Sequence, residues 1–510
     1  MPRPSPPLSI VIEKEASVSD QLHQEFLKVS GALVLPPKPM LDALTDNFFT
    51  YLYHLCAVID PQELLVRNPS LLLSQAICLA GSLVRQNRGH SFLSSSEQMY
   101  MKVKTLIMTN HEKDSHVVLK SICLLACWNV TPAMMVDLDC SYHWIGVAVR
   151  QMLQMGLHQD STYVSMTNPG VIRRLAWHIY ARDKLQSACF GRPALIKSHE
   201  FKVRPLEYCD FKVINDQAEL FIQYVNLNAI LGKMLELHSR KPYGDPAEAV
   251  HILDSLKSWI NQLPSNLRLY TYSTDQRTYR RDVYEVHINY FVLVVMFFHL
   301  CGHAITIRTS TANLTSLIAS SCIARLYEEM EYRDDIAYLL PINTWYIMVG
   351  CIPQVHQSTG RPNGDTICED ELNILRHALR TMANKYPPSR NVLYGIDRFA
   401  RKRTTTGKNE VRRPLGISDL TGGRSNENDP GAFPDELVRE LFPLPKTMCP
   451  RMDLLEPVGE RREPSTMSGE IFPWDEQNPM DWLFDEFCQD SIDSYDSLLA
   501  PTDVGSEQLL

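Results

Sequence analysis

The sequence predicts an all-α protein: an irregular body of many helices, then a flexible basic linker and an acidic C-terminal tail. Three observations carry this. Long apolar segments rich in Leu, Met, Ala and Ile recur with helical spacing, while strand-like alternation is scarce. At Arg398 the composition changes to basic and polar, and from Glu463 onward there are twelve acidic residues and no Lys or Arg. That end therefore carries −12 against a net charge of −9, which leaves +3 on the rest, so the acidity of the chain belongs to its tail. With 510 residues, 45% apolar and 21% charged, there is ample material for a large core. We divide the chain into a disordered segment 1–32, a helical body 33–395, a flexible basic linker 396–468 and an acidic-hydrophobic tail 469–510.

Residues 1 to about 32 are Pro-rich and then mixed in charge, with room for one short amphipathic helix. No apolar run follows Arg3, so no export signal is expected. Leu41 to Leu55 is apolar and aromatic, closed by Asp60-Pro61. Ser70 caps a helix running to about Val84. Gln98–Met108 and Val117–Trp128 follow. Further on come Glu219–Leu237, Ala247–Ile260 closed by Leu263-Pro264, a polar loop 265–280, Val286–Leu300, Leu317–Met330, a helix in Asn343–Gln357 and Glu369–Lys385. The most lipid-like run, Tyr290 to Phe298, is far shorter than the ~20 residues of a membrane span, so a buried core helix is expected and no membrane.

The stretch Ser141 to Phe211 organises the body. Trp144, Ile145, Ala148, Val149, Met152 and Leu153 repeat with helical spacing, and Val147 and Met155 widen the apolar face. Gly156 stops this helix as a left-handed C′ residue, and Leu157 folds back onto the last turn. Asn168 and Pro169 then serve as N-cap and first position of a helix with Leu175, Ala176, Ile179 and Tyr180 on one face, ended at Gly191 and Pro193. Arg150, Arg173, Arg174, Arg182 and Asp183 lie inside these apolar helices. Either they are solvated or they pair between helices, since a buried charge persists only when partnered. If they pair, Arg150 with Asp183 is the expected couple.

The runs "GVAVRQMLQMGLHQD" and "RRLAWHIYARDKLQSACFGRP", in that order, resemble the fungal-specific transcription factor domain, the regulatory middle region of fungal zinc-cluster activators of the cutinase-regulator type. "FFTYLYHLCAVIDPQEL", "SLLLSQAICLAGS", "LDSLKSWINQLP" and "VHINYFVLVVMFFHL" extend the resemblance over roughly residues 33 to 390. It marks Arg150, Gly156, His158, Arg173, Arg174, Asp183, Gly191, Arg192 and Pro193 as signature positions. It implies a nuclear regulator of RNA polymerase II transcription, controlling a metabolic gene cluster, with promoter complexes and a coactivator as partners. It leaves room for a homo- or heterodimer and a small-molecule inducer. In the family a zinc binuclear cluster with six clustered cysteines reads DNA. Here the first cysteine is Cys56, inside an apolar segment, so that module is expected to be absent and no metal or cofactor is assigned. The alternatives are a non-DNA-binding cofactor or decoy that dimerises with a zinc-cluster partner, and a helical ligand-sensing scaffold.

The thirteen cysteines are scattered and expected as free thiols, with Cys123 and Cys127 packed in the core. No GxSxG, GxGxxG, P-loop or HExxH is present, and His158, two before Asp160, is expected to cap helix carbonyls rather than bind metal. Catalysis is therefore not expected. Arg401, Lys402, Arg403, Lys408, Arg412 and Arg413 form basic clusters of the kind read by import receptors, or else a solvated linker or a nucleic-acid contact. In the tail, Trp474, Trp482, Leu483, Phe484 and Phe487 alternate with Asp and Glu, the pattern of an activation segment. The competing reading has Trp482 and Phe487 folded back onto the body.

Overall fold

The computed structural model describes residues 17–85, 92–133, 135–240, 244–271, 276–277, 279–305, 309–359, 365–398 and 438–452. The fold is all-α, as the periodicity predicts. Among the described residues the β pairing is limited to a two-residue antiparallel ladder, Tyr270–Thr271 with Gln276–Arg277, and a bridge between Gln159 and Lys202. The ladder lies in the stretch 265–280 that the sequence marks as a loop.

Residues Val18–Ser30 form α1, the one short helix for which the segment 1–32 has room, because Ser17 and Asp20 build a capping box and Gly31 closes the other end in the left-handed region. It packs on α4, and its Leu27 rests against the core. α2 (Lys38–Tyr51) ends at Tyr51, so Asp60-Pro61 does not terminate it but opens a separate 3-10 turn. α3 (Leu71–Leu83) is capped by the Ser70 hydroxyl as predicted, and α4 (Phe92–Met108) begins six residues earlier than its apolar pattern. α5 (Ser115–Leu125) starts at Asp114, whose carboxylate caps the first turn.

At the centre lie α6 (Ser141–Gln154) and α7 (Pro169–Phe190). α6 ends as read. Gly156 has φ of +72°, its N–H bonds the carbonyl of Leu153, and the N–H of Leu157 bonds the carbonyl of Met152. Leu153 faces solvent rather than the core. Asn168 and Pro169 start α7, although the Asn168 side chain makes no capping bond. α7 is buried nearly all round, not on one face, and packs between α6 and α8 (Asp216–Ser239).

The second half stacks α9 (Pro246–Gln262), α10 (Arg281–Leu300), α11 (Thr309–Tyr332), α12 (Ile342–Thr359) and α13 (Thr366–Ala383). α10 contacts α8, α9, α11 and α12. By length and composition it could cross a bilayer, yet 94% of its most apolar window is inside the body, with Glu285, His287 and Asn289 along it. It is the core helix that the sequence anticipates, longer than its apolar run.

A further departure lies in the stretch expected to be linker. Residues 438–452 form a strap that docks against the second half. Val438, Leu441, Phe442, Leu444, Met448, Cys449 and Met452 are buried there. Phe442 stacks on Phe291 of α10, and the Tyr290 hydroxyl donates to the Leu441 carbonyl at 2.9 Å. Asn261 Nδ2 donates to the Glu440 carbonyl at 2.8 Å, and Arg451 bonds Asp365. The reason is local: Leu437, Val438, Leu441, Phe442 and Leu444 make an apolar island that a composition average over 396–468 conceals.

The folding unit therefore runs to 452. A fragment 17–452 should melt cooperatively, and ending it at 395 should lower its Tm and expose dye-binding apolar surface. Phe442→Ala in the longer fragment should cost about 3–5 kcal/mol in denaturant titration. Equal stability of both fragments would mean the strap contributes nothing to the body.

Candidate functional site

The site is built outward from α7. Arg173 and Arg174 stand at its second turn, both in the core, Arg174 fully so. Arg174 reaches three partners from two other segments. Its Nη2 pairs with Asp60 Oδ1 at 2.6 Å, Nε donates to the Ala57 carbonyl at 2.7 Å, and Nη1 donates to the Asp210 carbonyl at 2.6 Å. Its guanidinium also lies over the Phe211 ring, 4.8 Å from the centroid. Arg173 pairs with Asp210 Oδ1 at 2.6 Å, and Arg204 clasps the same carboxylate with both Nη atoms at 2.9 Å. Gly170 allows this approach, since a Cβ there would sit 2.7 Å from the Asp210 carbonyl oxygen. The arginines thus tie the segment after α2, the start of α7 and the loop 204–211 into one unit.

The exit of α7 is organised by Asp183. Its carboxylate accepts from the N–H groups of Leu195 and Ile196 at 3.0 and 3.1 Å, and from Lys184 Nζ at 3.2 Å. Lys184 also donates to the Ile196 carbonyl. Arg150 is exposed and is not the partner of Asp183. The expected couple fails because the main chain after Gly191 turns back across α7 and fills that carboxylate. Gly191 supplies the turn with φ of +59°, and Arg192 and Pro193 sit exposed on it.

His158 does not cap a helix with its side chain: Nδ1 is buried without a hydrogen-bond partner. Its main chain is what is used, the carbonyl accepting from Lys202 N–H at 2.9 Å beside the Gln159–Lys202 bridge.

One turn beyond the arginine pair, α7 lines a small, mostly apolar cavity walled by Leu52, Leu55, Leu340 and Ile342, into which Cys56, Cys127, His178, Arg182, Tyr224, Glu285, Asn343 and Tyr346 also face. It has room for about one water. Burial and the neighbouring Arg182 push His178 down to about 3, so the ring is neutral at pH 7. The Cys56 sulfur lies 3.8 Å from His178 Nε2, and the nearby Cys127 thiol and burial raise its pKa well above the ordinary value. Cys127, two residues past the end of α5, donates to the Cys123 carbonyl, and both sulfurs are in the core as expected. Among the described residues no group of three or more His, Cys, Asp or Glu is arranged to hold a metal ion.

Sequence reasoning singled out Arg173, Arg174 and Asp183 but missed Asp60, Lys184, Arg204 and Asp210. A pair of arginines in an apolar helix signals acidic partners; it does not say which loop holds them. The basic positions Arg401, Lys402, Arg403, Lys408, Arg412 and Arg413, and the tail positions Trp474, Trp482, Leu483, Phe484 and Phe487, lie outside the described residues.

Asp183 and Arg150 should behave very differently on substitution. Asp183→Ala leaves two main-chain N–H groups and Lys184 without their acceptor and should cost about 3–5 kcal/mol. Arg150→Ala, on the surface, should stay within about 0.5 kcal/mol of the parent. Equal effects in urea titrations would show that the Asp183 bonds carry no net stability.

The sequence around these residues matches known proteins. Residues 45–288 match the sequence model of the fungal specific transcription factor domain, a narrower span than the resemblance over 33–390. Cutinase transcription factor 1 beta of Fusarium vanettenii is 27% identical over 206 residues, covering 37% of this chain and 23% of that protein. Cutinase transcription factor 1 alpha of the same organism is 25% identical over 276 residues, covering 48% and 30%. The acetamidase regulatory protein of Emericella nidulans is 26% identical over 273 residues, covering 48% and 32%. Each alignment spans less than a third of the relative's own length. No solved structure matches the chain. The span matched by the model of the fungal specific transcription factor domain thus runs from within α2 to within α10 and holds the arginine–aspartate unit at its centre.

Proposed function

We propose that this chain is a nuclear regulator of RNA polymerase II transcription that acts at promoters, directly or through a partner chain, and recruits a coactivator with its acidic tail. The observation that carries the reading is the match of residues 45–288 to a transcription factor domain, joined to relatives that are themselves named transcription regulators rather than enzymes. Control of a metabolic gene cluster, a dimeric state and a small-molecule inducer remain parts of the proposal that rest on the family alone.

Two features outside the helical body support it. Arg401-Lys402-Arg403 and Arg412-Arg413, with Lys408 between, have the composition an import receptor reads in extended form. In the tail every aromatic lies within a few residues of Asp or Glu, so charge repulsion keeps the segment soluble with its apolar groups available. On a transient helix, Leu483 and Phe487 share a face, with Met480 and Phe484 adjoining it. That face fits an apolar coactivator groove.

Residues 469–510 fused to an unrelated DNA-binding domain should activate a reporter. Trp482→Ala, Leu483→Ala and Phe487→Ala together should abolish that activity, whereas Asp490→Asn should change it little. An inert fusion, or a triple variant that keeps full activity, would remove the activator reading.

Import is tested on the full chain. Replacing Arg401, Lys402, Arg403, Arg412 and Arg413 by Ala should leave a fluorescently tagged protein in the cytoplasm. Unchanged nuclear accumulation would sink the assignment of these clusters.

A further inference from the structure

The strap 438–452 meets the helical body at a point rich in sulfur. Cys449 lies on the strap and Cys322 on α11, exposed by only 2% and 3%. The Cys449 sulfur is 4.0 Å from the carbonyl oxygen of Ile318, one turn before Cys322 in the same helix. Side chains on a helix lean toward its N-terminus, so Cys322 covers the turn on which Cys449 rests. The two thiols are near enough for each to shift the acidity of the other.

The rest of the strap end holds that register. The main-chain N–H of Arg451 donates to the Cys449 sulfur at 3.4 Å. The Arg451 guanidinium bonds Asp365 Oδ1 at 2.6 Å and reaches the Cys368 sulfur at 3.0 Å. Cys368 is thus engaged by an arginine, and the free approach is between Cys322 and Cys449. The other pair of neighbouring thiols, Cys56 with Cys127, joins two parts of the body and involves no strap residue.

We propose that Cys322 and Cys449 are a redox-closable latch, in which a peroxide converts the two thiols to an intramolecular disulfide that fastens the strap to α11. The strap is the part that opens to admit the oxidant, because its hold on the body is a short run of side chains. The nearby Cys322 thiol, with smaller help from Ser321 and the Arg451 N–H, draws the Cys449 thiol below its ordinary value against the opposing effect of burial. With the strap open, Cys449 is carried out to the oxidant while Cys322 stays on α11, so Cys449 is the sulfur that reacts first. It takes one oxygen from hydrogen peroxide: the S–O bond forms, the O–O bond breaks, and the thiol proton leaves with the departing hydroxide as water, giving a sulfenic acid. When the strap redocks, the Cys322 sulfur attacks Cys449. The S–S bond forms, the S–O bond breaks, and the hydroxyl leaves with the Cys322 proton as a second water. The sulfurs together lose two electrons and the peroxide gains them. A thioredoxin-like dithiol would reverse the step.

The acidic tail 469–510 follows the strap in sequence after residues 453–468, so the closed latch would fix the point from which that end of the chain leaves the body. This consequence rests on the proposed activating role; the bond itself does not, and its test uses no transcription readout.

The purified full chain, reduced and then exposed to hydrogen peroxide, is alkylated and digested with trypsin without reductant. Mass spectrometry should find the peptide 309–325 joined to the peptide 447–451 with loss of two hydrogens. Dithiothreitol should separate them, and neither Cys322→Ser nor Cys449→Ser should show the link. The exposed Cys209 reports that the oxidant was active. Tryptic cleavage after Arg439 should be at least tenfold slower in the oxidised protein. Cys322→Ala, with a melting curve matched to the parent under reducing conditions, guards against a folding defect. Recovery of both peptides as separate alkylated thiols while Cys209 is oxidised would overturn the proposal. So would a link from Cys449 to a different cysteine, or equal cleavage rates with the link in place.

Discussion

Arg174 is the constraint on which the first half of the structure depends. A guanidinium with no exposure to water survives only if its donors are matched, and here Asp60, the Ala57 carbonyl and the Asp210 carbonyl supply the match. Those partners come from a turn well before α7 and a loop well after it. Moving either segment strands a buried charge, so α2, α7 and the loop 204–211 hold one relative position. The neighbouring Arg173–Asp210–Arg204 arrangement reinforces this with two cations on one carboxylate. Such a network adds less net stability than an apolar core of the same volume, since desolvation offsets most of its attraction. Its geometry fits one placement of the three segments, in a body whose helices otherwise meet mainly through apolar faces.

The two ends of α7 use different chemistry for the same purpose. At its start, side chains from three segments meet on arginines. At its end, one carboxylate, Asp183, takes main-chain donors from the returning chain, and Lys184 closes the arrangement through the Ile196 carbonyl. The helix between them is apolar and shut off from solvent, with a neutral His178 and a water-sized cavity at its middle. Most of α10 is held by apolar contact, but its first turns carry a buried ion pair, Arg281 with Glu285, and Arg281 also donates to the Tyr51 carbonyl at 2.9 Å. Further polar fixing comes where the strap and its Arg451 are seated beside Asp365 and Cys368.

The strap changes how the C-terminal third is understood. The basic clusters precede it and the acidic tail follows it, so the two segments with signalling composition are separated by a docked element rather than by continuous linker. In the proposed regulator, import and activation would then be attached to the body at fixed points.

Much of the fold was legible in the sequence because its signals are local. Helical periodicity, the Ser70 cap, the Gly156-Leu157 stop and the Pro169 start act within a turn or two, and each stands where it was read. Some local signals were present but outweighed: the Ser17-Asp20 capping box inside a polar lead-in, and the Leu437–Leu444 apolar island inside a polar linker. The family character was also a sequence property, carried by the ordered runs around Gly156 and Gly191. What only the tertiary structure decided was partnership. Arg150 and Arg174 look alike in sequence, both charged and both in apolar helices, yet one faces water and the other is enclosed. Spacing along a helix gives the face a residue occupies, but burial depends on what the chain brings over that face from far away. Asp60, Asp210, the Leu195–Ile196 main chain and Cys449 arrive from such distances, and no local pattern around Arg174, Asp183 or Cys322 encodes their coming.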